Sequence, residues 1–195
     1  MPVKLTVVEG ATPLDPDTLA GLKPTYLSNQ AELDAAEEAN ILRALNWAGR
    51  ERGRDLLRLD YVLQLHRRMF GDVWTWAGTW RRRQTNIGVA PATIPERTQA
   101  LLSDARYWLA NTTYDPDELA VRLHHQMVFI HPFANGNGRH TRLLADLLVA
   151  SLNRPVFSWG GRSLSAPGEL RRSYIDALQR ADHGDIVPLL AFARS

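Results

Sequence analysis

The chain of 195 residues contains no cysteine. This absence excludes disulfide bonds, thiolate metal sites and a cysteine nucleophile. Long apolar runs are also missing: none approaches the ~18 apolar residues that a membrane-spanning helix needs. The apolar stretch near the N-terminus is too short for the core of a signal peptide. A cytoplasmic protein without a membrane partner fits this composition best.

A strong excess of charge of one sign is lacking as well. The formal net charge is +2 and the pI is about 9.2, a mild basic bias that does not indicate a nucleic-acid-binding protein. The stretch "WRRRQ" at residues 80–84 leaves contact with RNA or DNA open, but a solvated basic edge is the favoured interpretation. Internal repeats, low-complexity segments and linkers are absent from the sequence, which favours a single compact unit.

What the sequence does contain is mainly helical patterning. Asn29 precedes Glu32 by three residues, the spacing of a capping box. Asp115 is followed by Pro116, the residue that suits the first position of a helix. These signals and the apolar periodicity predict an all-α fold, a bundle of about six to eight helices.

One segment departs from the helical pattern. Residues 71–95, "GDVWTWAGTWRRRQTNIGVAPATIP", contain several β-formers, with Asn86 and Gly88 as turn formers. This combination predicts a loop followed by one short β-hairpin. Within the single unit, we divide the chain into an N-terminal arm and helix over residues 1–56 and a main domain over residues 57–195.

The densest group of chemically active residues is "IHPFANGNGRHTRLL" at residues 130–144. Gly136 and Gly138 bracket an asparagine directly before a helix, so backbone N–H groups and the positive end of the helix dipole can meet an anion there. Arg139 and Arg142 are three apart and share one face of the first turn, where two guanidinium groups could clamp phosphate oxygens. His131, at the end of the preceding helix, could take a proton from a hydroxyl. The arrangement predicts transfer of a phosphate-linked group to a hydroxyl.

Simpler interpretations exist for each of these features. His-Pro can be a helix stop, and Gly-Asn-Gly can be an ordinary turn, but their joint occurrence within twelve residues favours a site. The segment is not a P-loop, because the chain has no G-x-x-x-x-G-K-[ST] motif. A metal site of His124, His125 and His131 is disfavoured, because adjacent histidines point to different faces of a helix.

The stretch "HPFANGNGRHTR" resembles the Fic family motif, His-Pro-Phe-x-[Asp/Glu]-Gly-Asn-Gly-Arg-x-x-Arg, and departs from it at one position. "WAGTWRRRQTNIGV" resembles the family's flap, and "YIDALQRADHGDIVPLL" resembles its C-terminal end. The resemblance covers roughly residues 60–193. With its N-terminal helix, the whole chain is most similar to Fic proteins of the mobile mystery protein B type.

The resemblance implies a nucleotidyltransferase that moves AMP from ATP to a Ser, Thr or Tyr hydroxyl of a target protein. His131 would be the general base, and Phe133 would anchor the loop in the core. The residues implied to bind the nucleotide are Asn135, Gly136, Asn137, Gly138, Arg139 and Arg142, together with Phe133. The flap would hold the target segment in an extended form, and it consists of Thr85, Asn86, Ile87, Gly88 and Val89.

Asn135 is the departure from the motif, since the family usually has an acidic residue that binds Mg²⁺ there. An amide offers a carbonyl oxygen without charge, and hard cations prefer carboxylates. We therefore expect weak use of Mg²⁺ or Mn²⁺ through Asn135. Two alternatives stay open: a phosphotransferase of the same fold, and a catalytically weak binding or regulatory module.

The helix before the main domain has acidic residues that could regulate the site. Many Fic proteins carry an inhibitory helix whose glutamate pairs with the second arginine of the motif. No complete inhibitory motif is present in this chain, but Glu37 and Glu38 lie in a comparable place, so one of them is expected to face Arg142. The alternative is a solvated acidic helix face. A homodimer is among the oligomeric states that the sequence leaves open.

Overall fold

The computed structural model describes residues 15–51, 53–161 and 168–195. Residues 1–14, which belong to the predicted N-terminal arm, lie outside the described residues. The described part of the chain forms eight α-helices: α1 (Pro16–Leu19), α2 (Gln30–Arg50), α3 (Leu59–Phe70), α4 (Ile94–Ala110), α5 (Pro116–Ile130), α6 (Asn137–Ser151), α7 (Glu169–Asp182) and α8 (Val187–Arg194). A single 3-10 turn, Pro91–Thr93, precedes α4.

Helices α2 and α5 begin where the capping signals in the sequence place them. The Asn29 side chain accepts a hydrogen bond from the Glu32 backbone N–H, and the Asp115 side chain accepts one from the Asp117 N–H. These bonds satisfy backbone donors that have no partner within the helix. The capping residues Asn29 and Asp115 therefore set the starts of α2 and α5.

The core lies around α5 and α6. Helix α5 packs against α4, α6 and α8, while α3 packs against α2 and α6. The largest completely enclosed side chains include Phe70 of α3, Met127 of α5 and Leu144 of α6. Because the C-terminal end of α5 and the N-terminal end of α6 are fixed in this core, the connection between them, residues 131–136, is held rigidly. We call this connection the motif loop.

The predicted β-hairpin is wrong. Residues 81–90 form no strand, and within the described residues the sole bridge of β type pairs Leu22 with Trp74. Side chains replace the cross-strand hydrogen bonds: Gln84 Nε2 donates to the carbonyls of Thr85 and Gly88 at 3.3 and 3.2 Å. The Val89 N–H donates instead to the Ile130 carbonyl at 3.3 Å. The flap, residues 85–89, is thus an irregular loop that lies against the motif loop.

None of the helices in the described parts of the chain combines the length and the apolar character that crossing a membrane requires.

Candidate active site

The N-terminal end of α6 forms the centre of the site. Gly136 precedes the helix with φ of 77° and ψ of 2°, a left-handed conformation that favours glycine. A Cβ atom there would come within 2.6 Å of the Phe70 ring. The His140 N–H donates to the Gly136 carbonyl at 2.9 Å, so the N–H groups of residues 137–139 precede the first helical bond and point out of the helix end. Such an end attracts anions.

Two side chains of the motif hold the loop rather than a ligand. Asn137 Oδ1 accepts from the Phe133 N–H at 2.9 Å, and Asn137 Nδ2 donates to the Phe133 carbonyl at 2.8 Å. Phe133 has no exposed surface, and its ring centroid lies 3.7 Å from that of His66 and 5.6 Å from that of Trp80. The side chain of Phe133 therefore anchors the loop, and any contact of Asn137 with a nucleotide would come from its backbone.

His66 is a part of the site to which sequence reasoning assigned no role. Its Nδ1 accepts from the Gly78 N–H at 3.0 Å, so its Nε2 carries the proton and donates to the Asn135 carbonyl at 3.0 Å. Burial lowers the pKa of His66 well below its usual value, which keeps the ring neutral and this pattern of donor and acceptor intact. His66 thereby ties the motif loop to the segment after α3.

His131 ends α5 in a left-handed conformation, with φ of 54° and ψ of 62°. The side chain is buried, and burial together with the positive charge of Arg81 lowers its pKa to about 4, although a hydrogen bond to the Val128 carbonyl acts in the opposite direction. The imidazole is therefore neutral at pH 7 and able to accept a proton. The backbone of Gly88 in the flap approaches so closely that a Cβ there would lie 2.5 Å from that of His131.

The two arginines of the motif have different surroundings. Arg139 Nη1 donates to Glu37 Oε2 at 2.6 Å, and its guanidinium lies 4.8 Å from the centre of the Phe70 ring. Arg142 instead lies over the ring of Tyr174, 5.5 Å from its centre, and hydrogen-bonds to the hydroxyl of that tyrosine. Tyr174, on α7, received no role from the sequence, since only the packing of α7 brings it to α6.

The expectation that Glu37 or Glu38 faces Arg142 is wrong about the arginine. Glu37 is buried and pairs with Arg139, while its second carboxylate oxygen accepts from Trp74 Nε1 at 2.6 Å. Glu38 is exposed. Both carboxylate oxygens of Glu37 are thus engaged by Arg139 and Trp74, while Arg142 lies over the Tyr174 ring.

The side chain of Asn135 is engaged by its own loop and by Arg139. Its Oδ1 accepts from the Gly136 N–H at 2.6 Å and lies 3.5 Å from Arg139 Nη2. The amide oxygen is therefore directed into the loop and towards the positively charged guanidinium of Arg139. Across residues 15–51, 53–161 and 168–195, no three His, Asp or Glu side chains are grouped so that they could hold a metal ion. The protein ligands present therefore do not fit a resident Mg²⁺ ion.

The structure separates the three histidines that a metal site would need. His124 Nε2 lies 3.0 Å from the Tyr174 hydroxyl, and His125 Nε2 lies 2.7 Å from Asp182 Oδ1. Both histidines connect α5 to α7, whereas His131 faces the flap. The structure thus uses the adjacent pair for packing between helices.

Of the predicted flap residues, Gly88 lies directly against His131. Gly88 has φ of 100°, Ile87 is 42% exposed, and Val89 is half-buried against the core. Thr85 Oγ1 donates to the Ile87 carbonyl at 2.6 Å. Asn86 is exposed at the tip of the same segment. The flap therefore presents an accessible surface next to the buried His131.

Known proteins are similar to this chain in sequence. The sequence model of the Fic/DOC family matches residues 56–149. The protein adenylyltransferase fic-1 of Caenorhabditis elegans is 32% identical over 155 residues, which cover 77% of this chain and 29% of that protein. The protein adenylyltransferase Fic of Aedes aegypti is 32% identical over 142 residues, which cover 71% of this chain and 27% of that protein. The chain thus spans less than a third of the length of these relatives.

Solved structures agree with the fold. A structure of Fic-1 from C. elegans covers 81% of this chain and 48% of its own chain, with a TM-score of 0.64 and 29% identity. The N-terminal Fic domain of an effector protein from Bartonella sp. AR 15-3 covers 92% of this chain and 91% of its own, with a TM-score of 0.72 and 15% identity, a likeness of fold alone. The predicted all-α, Fic-type bundle is confirmed. The matched residues contain His131, the motif loop and both arginines, and the chain belongs to the Fic/DOC family.

Proposed function

We propose that this chain is a protein adenylyltransferase, which transfers AMP from ATP to a Ser, Thr or Tyr hydroxyl of a target protein. One observation carries the proposal: a neutral, buried His131 lies across a six-residue loop from a helix end that carries Arg139 and Arg142 on one turn. The helix end and arginines suit a polyphosphate, and the histidine suits a hydroxyl nucleophile. The names of the relatives support the same activity.

In this reaction the hydroxyl oxygen of the target attacks the α-phosphorus of ATP. A P–O bond forms to the target, the bond between the α-phosphorus and the bridging oxygen to the β-phosphate breaks, and pyrophosphate leaves with that electron pair. The hydroxyl proton passes to the imidazole of His131. The N–H groups at the start of α6 stabilise charge on the phosphate oxygens, where fixed donors act most strongly.

The low pKa of His131, about 4, belongs to the protein without its nucleotide. A bound triphosphate places several negative charges near the ring, which favours the imidazolium and raises this pKa towards neutrality. Nucleotide binding would therefore improve His131 as a base at the moment when a hydroxyl arrives.

We also propose that Mg²⁺ or Mn²⁺ enters with ATP, held by phosphate oxygens and water. The amide of Asn135 is turned towards Gly136 and Arg139, so the protein contributes little to holding the ion. Small hard cations often keep such a coordination shell. The transferase would then need more metal than a chain with a carboxylate at this position.

The first 56 residues are proposed to be a regulatory segment of the transferase unit formed by residues 57–195. The support is the contact between Glu37 on α2 and Arg139 on α6, which are 102 residues apart. A carboxylate on Arg139 competes with the outer phosphates of ATP for the same guanidinium. The membership in the mobile mystery protein B type, a cytoplasmic location and the oligomeric state remain predictions.

The decisive experiment uses ATP labelled at either the α- or the γ-phosphate. The purified chain is incubated with each form, Mg²⁺ and a cell lysate, and labelled proteins are detected on gels and by mass spectrometry. AMP transfer gives label only from α-labelled ATP, and the phosphotransferase alternative gives label only from γ-labelled ATP. Label from neither form, with ATP still bound, would favour the binding module that the missing acid at Asn135 left open.

His131→Ala is the matched control for that experiment. General-base catalysis contributes about 10²–10⁴-fold, so the variant should transfer AMP more slowly by that factor. Its affinity for ATP, measured by calorimetry, should stay near that of the wild type because the helix end and the arginines are intact. Equal transfer rates for the two proteins would remove His131 from the mechanism.

A further inference from the structure

Arg81 is a buried cation between the flap and the motif loop, 5% exposed. Three of its side-chain N–H groups donate to backbone carbonyls. Nε donates to the His131 carbonyl at 2.6 Å, Nη1 donates to the Arg83 carbonyl at 2.8 Å, and Nη2 donates to the Val89 carbonyl. Its own backbone N–H donates to the Pro132 carbonyl at 3.0 Å. Arg81 therefore contacts the chain before the flap, at Arg83, the end of the flap, at Val89, and the start of the motif loop, at His131.

These contacts replace the ladder that a β-hairpin would have had. The carbonyls of Arg83 and Val89, on the two sides of the flap, converge on one guanidinium, whose donors form a fixed planar fork. The fork thus closes the flap without cross-strand hydrogen bonds. A buried charge is costly without compensation, and three carbonyl dipoles directed at the guanidinium supply it.

The hydrogen bond from Arg81 Nε reaches the end of α5, where His131, the proposed base, lies. His131 has a positive φ of 54°, a conformation that costs a residue with a side chain free energy unless its surroundings hold it. The hydrogen bond from Arg81 Nε to the His131 carbonyl fixes this turn. The orientation of the imidazole therefore depends on the same guanidinium that closes the flap.

We propose that Arg81 is a positioning residue, which sets the flap and the His131 side chain at a fixed separation so that a docked hydroxyl meets the base. The proposal rests on the proposed function for the reaction itself. Arg81 touches backbone carbonyls and not the reacting atoms, so it acts through His131 and the flap. A misplacement of about 1 Å between reacting groups can reduce a rate by about 10²-fold.

The test compares Arg81→Met, Arg81→Lys and Arg82→Met with the wild type. Arg82 is the matched control, because it is the adjacent arginine and its side chain is exposed. Self-modification from α-labelled ATP should fall about 10–100-fold in Arg81→Met, recover in part in Arg81→Lys, and stay within about twofold of wild type in Arg82→Met. The affinity for ATP should change less than about twofold in all three, because α6 and the motif arginines are untouched.

Hydrogen exchange measured by mass spectrometry separates positioning from loss of fold and does not depend on activity. In Arg81→Met the amides of residues 82–90 should exchange faster, while those of α2 should exchange as in the wild type. Unchanged exchange in residues 82–90, or a loss of ATP affinity as large as the loss of transfer, would overturn the proposal. A wild-type protein that transfers no AMP would instead overturn the proposed function, and the exchange data would still decide whether Arg81 holds the flap.

Discussion

At the scale of single residues, Gly136 and Gly138 of Gly-Asn-Gly are glycines for different physical reasons. Gly136 has a positive φ and lies against the Phe70 ring, so the fold itself requires glycine there. At Gly138 a Cβ would first meet Arg142 Nη1 at 3.5 Å and the Tyr174 hydroxyl at 4.0 Å, both ordinary contact distances. The fold therefore tolerates a side chain at Gly138, and the space there is available to a ligand.

This contrast gives a pair of substitutions with opposite outcomes. Gly138→Ala should leave the melting temperature within a few degrees of wild type, since alanine favours a helix by about 1 kcal/mol over glycine, but should weaken ATP binding by filling the mouth of the site. Gly136→Ala should lower the melting temperature, because the left-handed conformation alone costs about 1–2 kcal/mol. Calorimetry measures the affinity of each variant for ATP, and thermal melts measure its melting temperature. Equal ATP affinity in Gly138→Ala and wild type would place the nucleotide elsewhere.

Asn135 leads to a prediction about metal use. Asn135→Asp adds a carboxylate, which a hard cation prefers to an amide, so the variant should reach half-maximal transfer at a lower Mg²⁺ concentration. Repulsion between the carboxylate and the triphosphate opposes this gain when metal is scarce. A titration of transfer against Mg²⁺ for both proteins decides the balance. If the two curves coincide, Asn135 does not face the metal that accompanies ATP.

At the scale of elements, α2 connects the N-terminal segment to the site. Glu37 is fixed on both sides, by Trp74 Nε1 and by Arg139, while Glu38 on the same helix is exposed. The adjacent pair therefore offers a test and a control in one element. The pairing with Arg139 also shows that α2 meets the nearer arginine of the motif.

Glu37→Gln should raise self-modification, because the neutral amide keeps an oxygen for Trp74 but no longer competes with phosphate for Arg139. Glu38→Gln should behave like the wild type, since its side chain faces solvent. Initial rates of label incorporation at low ATP are the measurement, because competition is greatest there. A Glu37→Gln rate at or below that of the wild type would make Glu37 a structural support of Arg139 instead of an inhibitor.

At the scale of the whole molecule, buried titratable groups make stability depend on pH. Burial lowers the pKa of His131 and His140 to about 4, and it lowers the pKa of His66 and His124 well below the usual value. Each stays neutral in the fold while the unfolded chain takes up a proton near pH 6.5. The stability that these histidines allow is therefore complete above about pH 6.5 and is lost progressively as the pH falls towards 4.

The pKa of Asp146 changes in the opposite direction from that of the buried histidines. Burial raises its pKa to about 6, against the hydrogen bonds from Trp159 and the Phe157 backbone that favour the charged form. The fold holds a proton that the unfolded chain releases above about pH 4. Stability is therefore lost as the pH rises from about 4 to about 6, and the full cost remains above pH 6.

The substitution Asp146→Asn tests that sign. It should stabilise the protein by at most about 3 kcal/mol at pH 7.5 and by about half as much at pH 5. The reason is that the pKa of Asp146 is about 6 in the fold and near 4 in the unfolded chain, and each pKa unit corresponds to about 1.4 kcal/mol. Unfolding in urea at the two pH values measures the difference. A gain that is larger at pH 5 than at pH 7.5 would contradict the assignment of a raised pKa to Asp146.

The sequence by itself determined the features that depend on neighbouring residues. The caps of Asn29 and Asp115, the helix that begins within Gly-Asn-Gly and the all-α class all arise from hydrogen bonds and periodicity within a few residues. The motif likewise determined the family, because its twelve positions are contiguous. The placement of His131 at the end of one helix, close to the glycine-flanked start of the next, is local for the same reason.

Only the tertiary structure decided which distant groups meet. Periodicity could not show that Tyr174 covers Arg142, that Glu37 meets Arg139, or that His66 holds the motif loop, because each contact joins residues that are far apart in the sequence. The β-formers of the flap predicted a hairpin, but the Arg81 and Gln84 side chains take the carbonyl groups that its ladder would need. Propensity describes what a segment prefers alone, and a buried guanidinium with several fixed donors outweighs that preference.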